Sequence, residues 1–423
     1  MAHIEGMRVQ NYRSLRDVTL GALWKTQGRP KLSPFTAVIG KNGSGKSTLL
    51  DVFGFLADAL RVGVEDACDL QGRGGFERIR SHGVTDPIRI EIYYRHSPSE
   101  RPITYELAID ADESGRPYVA YERLRQRRRG VSSGAPFFFL WLRDGEGVAW
   151  NGDSNLAVEL GNSDRLEEMF RITEHEEPGR VNVRMADNRR LGISTLGTLK
   201  DHPRIAGFRQ FIEGWYLSYF TPDAARSIPQ AGPQKRLNMH GDNVGNVVQY
   251  LEREHPEKLE RILKEIAGKI PGITKITAQR TVDGRVVLQF NERGFVDPFY
   301  AQQMSDGTLK VFAYLLLLAD PNPPPFLCIE EPENGLYHKL LAALATELRA
   351  HATSPKGASQ VFVTTHQPYL VDAMSPEEVW MLTRGDDGFS HIRRASESPI
   401  VKALVEEGLP LGGLWFSDYL DGV

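Results

Sequence analysis

Apolar and polar positions along the chain alternate with two different periods. Residues 4–20 follow the two-residue period of a strand, a turn and a second strand, and 34–39 is a short apolar run ending at Gly40. The period then lengthens. Leu49, Leu50, Val52, Phe53, Phe55, Leu56 and Leu60 make a broad apolar face on a helix predicted over 46–61, with Gly63 as its stop. From 86 to 152 the strand period returns: 87–94, 102–109, 118–124 and 137–142 read as strands, with turns at 112–115 and 144–147. Residues 155–217 read as mainly helical and polar, with a loop near 174–180. A helical pair over 243–253 and 256–268 leads to a hairpin over 273–290 that turns at Asp283-Gly284. Helix 306–319, strand 326–330, helix 334–351, strand 360–364 and strand 377–382 then restore α/β alternation. The chain is expected to be an α/β protein. It shows no internal repeat and no sustained heptads, which excludes a long coiled-coil arm.

Composition narrows the class. The 423 residues are 41% hydrophobic and 25% charged, as in an ordinary soluble globular protein. The net charge is -4, so no global positive field recruits nucleic acid and any such contact has to be local. Two cysteines, Cys68 and Cys328, exclude a disulfide scaffold and fall short of a four-ligand structural zinc site. They fit a reducing compartment, and a cytoplasmic location is expected. The longest apolar runs, 137–142 and 311–319, are far below the roughly 20 residues a bilayer requires, and the first residues lack the layout of a signal peptide.

The segment Gly40-Lys41-Asn42-Gly43-Ser44-Gly45-Lys46-Ser47 matches G-x-x-x-x-G-K-S/T, and Thr48 follows. Glycines are required because backbone N–H groups must turn inward around the phosphates of ATP, in conformations that a Cβ obstructs. Lys46 would reach the β/γ oxygens and the Ser47 hydroxyl would ligate Mg2+. The following helix adds partial positive charge at its N-terminus. The loop lies between an apolar strand and an amphipathic helix, as this chemistry needs; the alternative is an incidental glycine turn.

Downstream, 326–330 is an apolar strand that ends in Glu330 and Glu331. The carboxyl ends of strands are where α/β sheets gather ligand groups. Glu330 would hold Mg2+ through water and Glu331 would polarise the attacking water as general base. The alternative is a solvated acidic turn in which Glu333 and Asn334 begin the next helix.

Taken in order, the motifs resemble the ABC-type ATPases of the RecF/SMC-like group, particularly the single-chain AAA-type ATPases found beside DNA-repair and anti-phage genes. The resemblance rests on Ile4-Glu5-Gly6-Met7-Arg8-Val9-Gln10-Asn11-Tyr12-Arg13-Ser14-Leu15, the phosphate loop, Met304-Ser305-Asp306-Gly307-Thr308-Leu309, Glu330-Glu331-Pro332-Glu333-Asn334-Gly335-Leu336-Tyr337-His338, Thr364-Thr365-His366-Gln367, and the closing Leu411-Gly412-Gly413-Leu414-Trp415. Residues 96–240 carry little of it. The fold it implies is a P-loop NTPase of ABC type: a head with an antiparallel β subdomain and a helical insertion. The corresponding division is 1–95 with the phosphate loop, 96–240 as a β-rich and helical insertion, and 241–423 with the remaining motifs.

The resemblance also implies site roles. Ser305 and Gly307 would open a helix that meets the γ-phosphate bound by a second copy, so that ATP joins a homodimer. Ser305 is equally suited to be a plain N-cap. His366 would be the switch histidine on the γ-phosphate, and 334–338 the loop that communicates between sites, with His338 structural. Two departures stand out. The first acid is Glu330 where many relatives have Asp, and the usual lobe-joining glutamine has only a weak counterpart in Gln71. Asn11 and Arg13 either approach the nucleotide or serve the surface.

Arg123, Arg125, Arg127, Arg128 and Arg129 form the densest basic run. Alternation puts Arg123, Arg125 and Arg127 on one face, a spacing that could track nucleic-acid phosphates; a solvated hairpin tip is the other reading. His175-Glu176-Glu177 reads as a solvated face and not as a metal site, because adjacent residues do not converge. The leading expectation is a Mg2+-dependent ATPase acting as sensor or motor of a defence or DNA-repair system. Its effector, a nuclease or toxin, would be a separate chain, since the stretch after His366 is short for a further domain. The rivals are an ATP-binding transporter subunit, disfavoured by Met-Ser-Asp-Gly-Thr in place of Leu-Ser-Gly-Gly-Gln, and a slow nucleotide-gated scaffold that restrains a toxin.

Overall fold

In a computed structural model, residues 2–26, 28–126, 137–151, 179–229, 232, 234–354, 359–417 and 419 are described. The chain folds into two units interleaved in sequence. The first gathers Met1–Ser33, Gly40–Trp215 and Trp380–Arg393, and the second gathers Pro34–Ile39, Tyr216–Val379 and Arg394–Val423. This grouping cuts the chain differently from a division at 95 and 240, because strand pairing and not sequence order collects the pieces.

The first unit is built on an eight-stranded antiparallel sheet. Its strands are β1 (His3–Tyr12), β2 (Leu15–Gly21), β4 (Ile88–Arg95), β5 (Ile103–Ala111), β6 (Pro117–Gln126), β7 (Phe137–Arg143), β8 (Glu146–Trp150) and β9 (Arg180–Arg184), in the order β2-β1-β4-β5-β6-β7-β8-β9. The two-residue alternation puts Met7, Val9, Ile90, Ile92, Tyr105, Leu107, Leu124, Leu140 and Leu142 in the core. Two helices of the same unit, α1 (Lys46–Val62) and α2 (Pro203–Glu213), supply aromatic rings to that core. Phe208 of α2 lies 4.8 Å from the Tyr105 ring, and Phe55 of α1 lies 5.8 Å from Tyr12. The helix expected over 46–61 is therefore present, and its apolar face is the buried one.

Two polar devices brace this unit. Buried Arg73 donates to Asp51 and to Asp58, each at 2.8 Å, and Tyr12 donates to Asp51 at 2.7 Å. Glu122 is wholly buried and accepts from the backbone N–H groups of Gly192 and Ile193 and from the Tyr105 hydroxyl.

The second unit contains a parallel sheet in the order β10-β14-β15-β3, formed by β10 (Tyr216–Ser218), β14 (Phe326–Glu330), β15 (Gln360–Thr365) and β3 (Phe35–Ile39). Such strands are buried on both faces, and β3 and β15 are buried at every position. A three-stranded antiparallel sheet, β11 (Ile273–Arg280), β12 (Val286–Glu292) and β13 (Phe299–Tyr300), and the helices α3 (Val244–Glu254), α4 (Pro256–Lys269), α5 (Asp306–Leu318) and α6 (His338–Ala352) complete the regular elements used below. Phe290 of β12 meets Phe312 of α5 edge to face, with ring centroids 5.4 Å apart.

Three expectations change. The stretch 155–217 is not simply helical: β9 lies in it, and 152–178, with His175-Glu176-Glu177, falls outside the described residues. The helix expected from 334 begins at His338, because Gly335 adopts φ 80° and breaks the backbone there. The final hairpin pairs β16 (Val379–Arg384) with β17 (Ser390–Arg394), a strand that the polar Ser-His-Ile-Arg-Arg run concealed.

Candidate functional site

In the first unit, residues 40–48 pass from the end of β3 into the first turn of α1. Gly43 and Gly45 have φ 81° and 105°, values that only glycine adopts freely. At Gly40 a Cβ would stand 2.3 Å from the Leu382 carbonyl oxygen and 2.5 Å from Ser44 Oγ, so any side chain is excluded. Buried Lys46 folds back over the loop, with Nζ donating to the carbonyls of Gly40 (2.8 Å) and Lys41 (3.3 Å). Lys41, Asn42 and Gly43 are exposed at the loop's tip; Ser47 is exposed and Thr48 half-buried on the helix turn. Ser44 Oγ is buried with no hydrogen-bond partner among the described residues.

The loop is braced from behind. Ser390 Oγ lies 2.7 Å from the Ser44 carbonyl oxygen and 2.9 Å from Ser14 Oγ, and a Cβ at Gly45 would meet both hydroxyls within 3 Å. Nothing in the sequence marks Ser390, which approaches the loop only through the hairpin.

In the second unit, β14 delivers Glu330 and Glu331 at its carboxyl end. Glu331 has φ 39°, a left-handed conformation that is strained for a non-glycine residue. Its N–H is held by the Thr364 carbonyl of β15 at 3.1 Å, and Asn334 Nδ2 donates to Glu331 Oε2 at 3.1 Å. His366 Nδ1 lies 3.2 Å from a carboxylate oxygen of Glu331 and 3.2 Å from one of Glu333. Glu333 is buried. It accepts from Thr365 Oγ1 and from the His366 N–H, both at 2.8 Å, while Oε2 has no hydrogen-bond partner among the described residues. Burial pushes the Glu333 carboxyl above its ordinary range, against the pull of those hydrogen bonds. Sequence reasoning gave Glu333 a role only in the alternative reading, as a first-turn residue; in the structure its carboxylate holds the His366 N–H.

Lys310 was also missed, hidden in an otherwise apolar helix. Its Nζ donates to the carbonyls of Glu331 (3.3 Å) and Asn334 (3.0 Å), and burial pulls its pKa down to about 8. Ser305 is the N-cap of α5, accepting from the Thr308 N–H at 3.2 Å. A Cβ at Gly307 would stand 3.0 Å from the Gly335 carbonyl oxygen, so this glycine lets the first turn of α5 approach the 331–337 loop. Arg226 ties the same turn down: it donates to the Met304 carbonyl at 3.0 Å, pairs with Asp306, and reaches Asp223 at 2.8 Å.

Other expected residues find different work. Arg123 and Arg125 do share a face, but they are not an open stripe: both guanidinium groups engage the Glu106 carboxylate, and Arg125 is 7% exposed. Burying two charges beside one carboxylate leaves little for a duplex to read, which corrects the nucleic-acid expectation for these two. Arg127, Arg128 and Arg129 lie outside the described residues. Arg13 pairs with Asp51 at 3.2 Å, and Asn11 donates to the Pro87 carbonyl at 3.0 Å. Gln71 is exposed, with φ 55°. His338 packs against Tyr337 at a tilt, with ring centroids 3.9 Å apart. Both cysteines are buried and free. Among the described residues no group of three or more His, Cys, Asp or Glu side chains could hold a metal ion, and no helix is long and apolar enough to cross a membrane.

Comparisons with known proteins agree with this picture. No curated protein matches the chain. Among solved structures, an SMC head bound to the C-winged helix domain of ScpA is 15% identical, with 92% of this chain and 97% of that one covered and a TM-score of 0.52; the two share a fold. The SMC head domain from Thermotoga maritima is 13% identical over 93% of this chain and 98% of its own, with a TM-score of 0.43. The family model AAA_21, described as "AAA domain, putative AbiEii toxin, Type IV TA system", matches residues 35–372. The chain therefore belongs to the AAA_21 family of P-loop ATPases, and it has the ABC-type α/β fold of an SMC head with an antiparallel β subdomain.

Proposed function

We propose that the protein binds and hydrolyses ATP with Mg2+ as a head-to-tail homodimer and acts as the sensor or motor of a defence system. The observation that carries the reading is the Glu331 carboxylate, aimed by a strained backbone and flanked by His366 and Asn334. Left-handed backbone at a non-glycine residue costs energy, persists only where its surroundings enforce it, and clusters at functional sites.

The residues fit the roles. The glycine cradle, the buried lysine and the unpartnered Ser44 hydroxyl suit phosphate oxygens. Lys46 exchanges its two carbonyl partners for the β- and γ-phosphates, a stronger charge-assisted pairing. Ser47 and Glu330 would hold Mg2+, which when bound neutralises phosphate charge. Glu331 takes the proton of the attacking water, and His366 steadies the transferred phosphoryl group. Ser305 and Gly307 of a second copy would offer the free N–H groups of an α5 N-terminus to the same phosphate.

The family description speaks of a toxin in a toxin–antitoxin system, which favours a toxin-linked or nuclease-linked partner chain over a transporter permease. The test is a pair of variants. Glu331→Gln retains ATP binding, loses phosphate release and accumulates as a dimer, and Lys46→Ala loses ATP binding as well. Hydrolysis at the parental rate by Glu331→Gln overturns the catalytic reading. Affinity capture of the trapped dimer from its host then separates the partners, a nuclease or toxin supporting the defence role and a permease overturning it.

A further inference from the structure

The face of the eight-stranded sheet opposite its core carries a cavity of about 850 Å3, within the range of small-molecule sites. Register places its side chains in rows. In the first row Arg8, Glu91, Glu106, Arg123 and Trp141 stand opposite one another on β1, β4, β5, β6 and β7. Charge in this row is largely satisfied, since Glu106 takes Arg123 and Arg125 while Arg8 pairs with Asp17. The next row reads Gln10, Arg89, Ala108, Tyr121 and Arg143, and contains no carboxylate. Ala108 is its small member, and the sheet bulges beside it, between Ala108 and Ile109, so Ala120 adds a second small side chain to the lining. The hollow between Arg89 and Arg143 follows from those two alanines. Lys25 and Arg29, from the segment after β2, also line it.

We propose that this hollow is a second ligand site, distinct from the phosphate loop, for a phosphorylated ligand of mononucleotide size. Arg89 and Arg143 stand on either side of the gap, as a phosphate clamp requires, and guanidinium is the group that pairs phosphate oxygens two at a time. Arg143 is 60% exposed, and Asp144, at 3.9 Å, is beyond hydrogen-bond distance of it. Half-buried Tyr121 stands between the arginines, with the Arg123 guanidinium 5.0 Å over its ring, and is the aromatic group at hand for a base. Enclosure decides the size class: with Trp141 3% and Arg125 7% exposed, the floor is too deep for a duplex to reach.

The experiment titrates the full-length Lys46→Ala protein, whose phosphate loop is disabled, with AMP, GMP, CMP and UMP by calorimetry. The expected result is saturable binding of at least one of them at one site per chain, weakened tenfold or more by Arg89→Glu with Arg143→Glu. An unchanged thermal midpoint shows that this double variant is folded. Absence of saturable binding by all four nucleotides, or binding that the folded double variant leaves intact, overturns the proposal.

Discussion

His366 Nδ1 stands 3.2 Å from the Glu331 carboxylate and 3.2 Å from that of Glu333, so one imidazole lies between a partly exposed acid and a buried one. Glu333 holds the histidine through its main-chain N–H and has the ring nitrogen 3.2 Å from its carboxylate. The two acids divide the labour: Glu331 is at the surface of the cluster and Glu333 is 4% exposed.

His366→Ala is expected to lower ATP turnover by roughly 10²-fold, the typical contribution of a placed proton-handling or charge-stabilising group. ATP affinity should change by no more than about threefold, since the phosphate loop is untouched. Glu333→Gln keeps one acceptor for the His366 N–H and is expected to retain more turnover than Glu333→Ala. Single-turnover hydrolysis and nucleotide titration on the same preparations check both. Equal turnover in the two Glu333 variants would show that His366 is held by something else.

Arg226 is expected to be a positioning residue for the turn that carries Ser305 and Gly307. It binds the Met304 carbonyl and the Asp306 carboxylate on either side of Ser305. As a partly exposed pairing it contributes at most about 1 kcal/mol to folding. Arg226→Ala should therefore leave the urea midpoint nearly unchanged, while weakening ATP-dependent dimerisation of the Glu331→Gln protein about tenfold by sedimentation. Loss of stability with intact dimerisation would assign Arg226 to folding alone.

Much of this was legible in the sequence, and the misses share a cause. The phosphate loop declares itself because its glycines, lysine and serine are contiguous and bracketed by a strand and a helix. Periodicity likewise located β4 to β7, α1, α3, α4 and the β11–β12 hairpin, since one face of each is packed. Ser390 and Lys310 acquire their roles through contacts with residues 346 and 21 positions away, which no local pattern records. Arg123 and Arg125 failed in the opposite direction: alternation placed them together correctly, yet only the neighbouring strand shows that Glu106 stands across from them. The helix expected from 334 yielded to Gly335 and to strained Glu331, where the loop's geometry overrides helical propensity.

Arg73→Leu tests the internal bracing of the first unit. The side chain of Arg73 is 1% exposed and bridges Asp51 and Asp58. Removing it takes the buried cation from two mostly buried carboxylates, leaving Asp51 with Tyr12 and Arg13 and Asp58 with the more exposed Arg61, an imbalance that costs about 1–3 kcal/mol. The denaturation midpoint should fall accordingly, and adding Asp58→Asn should recover part of the loss because one of the under-neutralised charges is gone. A double variant no more stable than the single one would show that packing against Phe55, and not charge balance, is what Arg73 provides.

Glu122 gives a pH signature of its own. Desolvation raises its pKa to about 7, against the lowering effect of hydrogen bonds from Ile193, Gly192 and Tyr105. The unfolded chain releases this proton in the ordinary carboxylate range near pH 4.5, whereas the folded chain keeps it until about pH 7. Between those values the folded state binds more protons than the unfolded state, so stability falls as pH rises, by up to about 1.4 kcal/mol per pH unit from this group, and levels off above pH 7. Glu122→Gln removes the titration and preserves an acceptor, so its stability should lack this slope, and the parent-minus-variant difference in unfolding free energy should decline across that window. The short helix Gly192–Leu196 rests on this carboxyl through its first N–H groups. Hydrogen exchange at Gly192 and Ile193 should therefore speed up in Glu122→Ala far more than in Glu122→Gln; equal exchange in the two variants would mean that the helix is held by its packing on Leu142 and not by the buried acid.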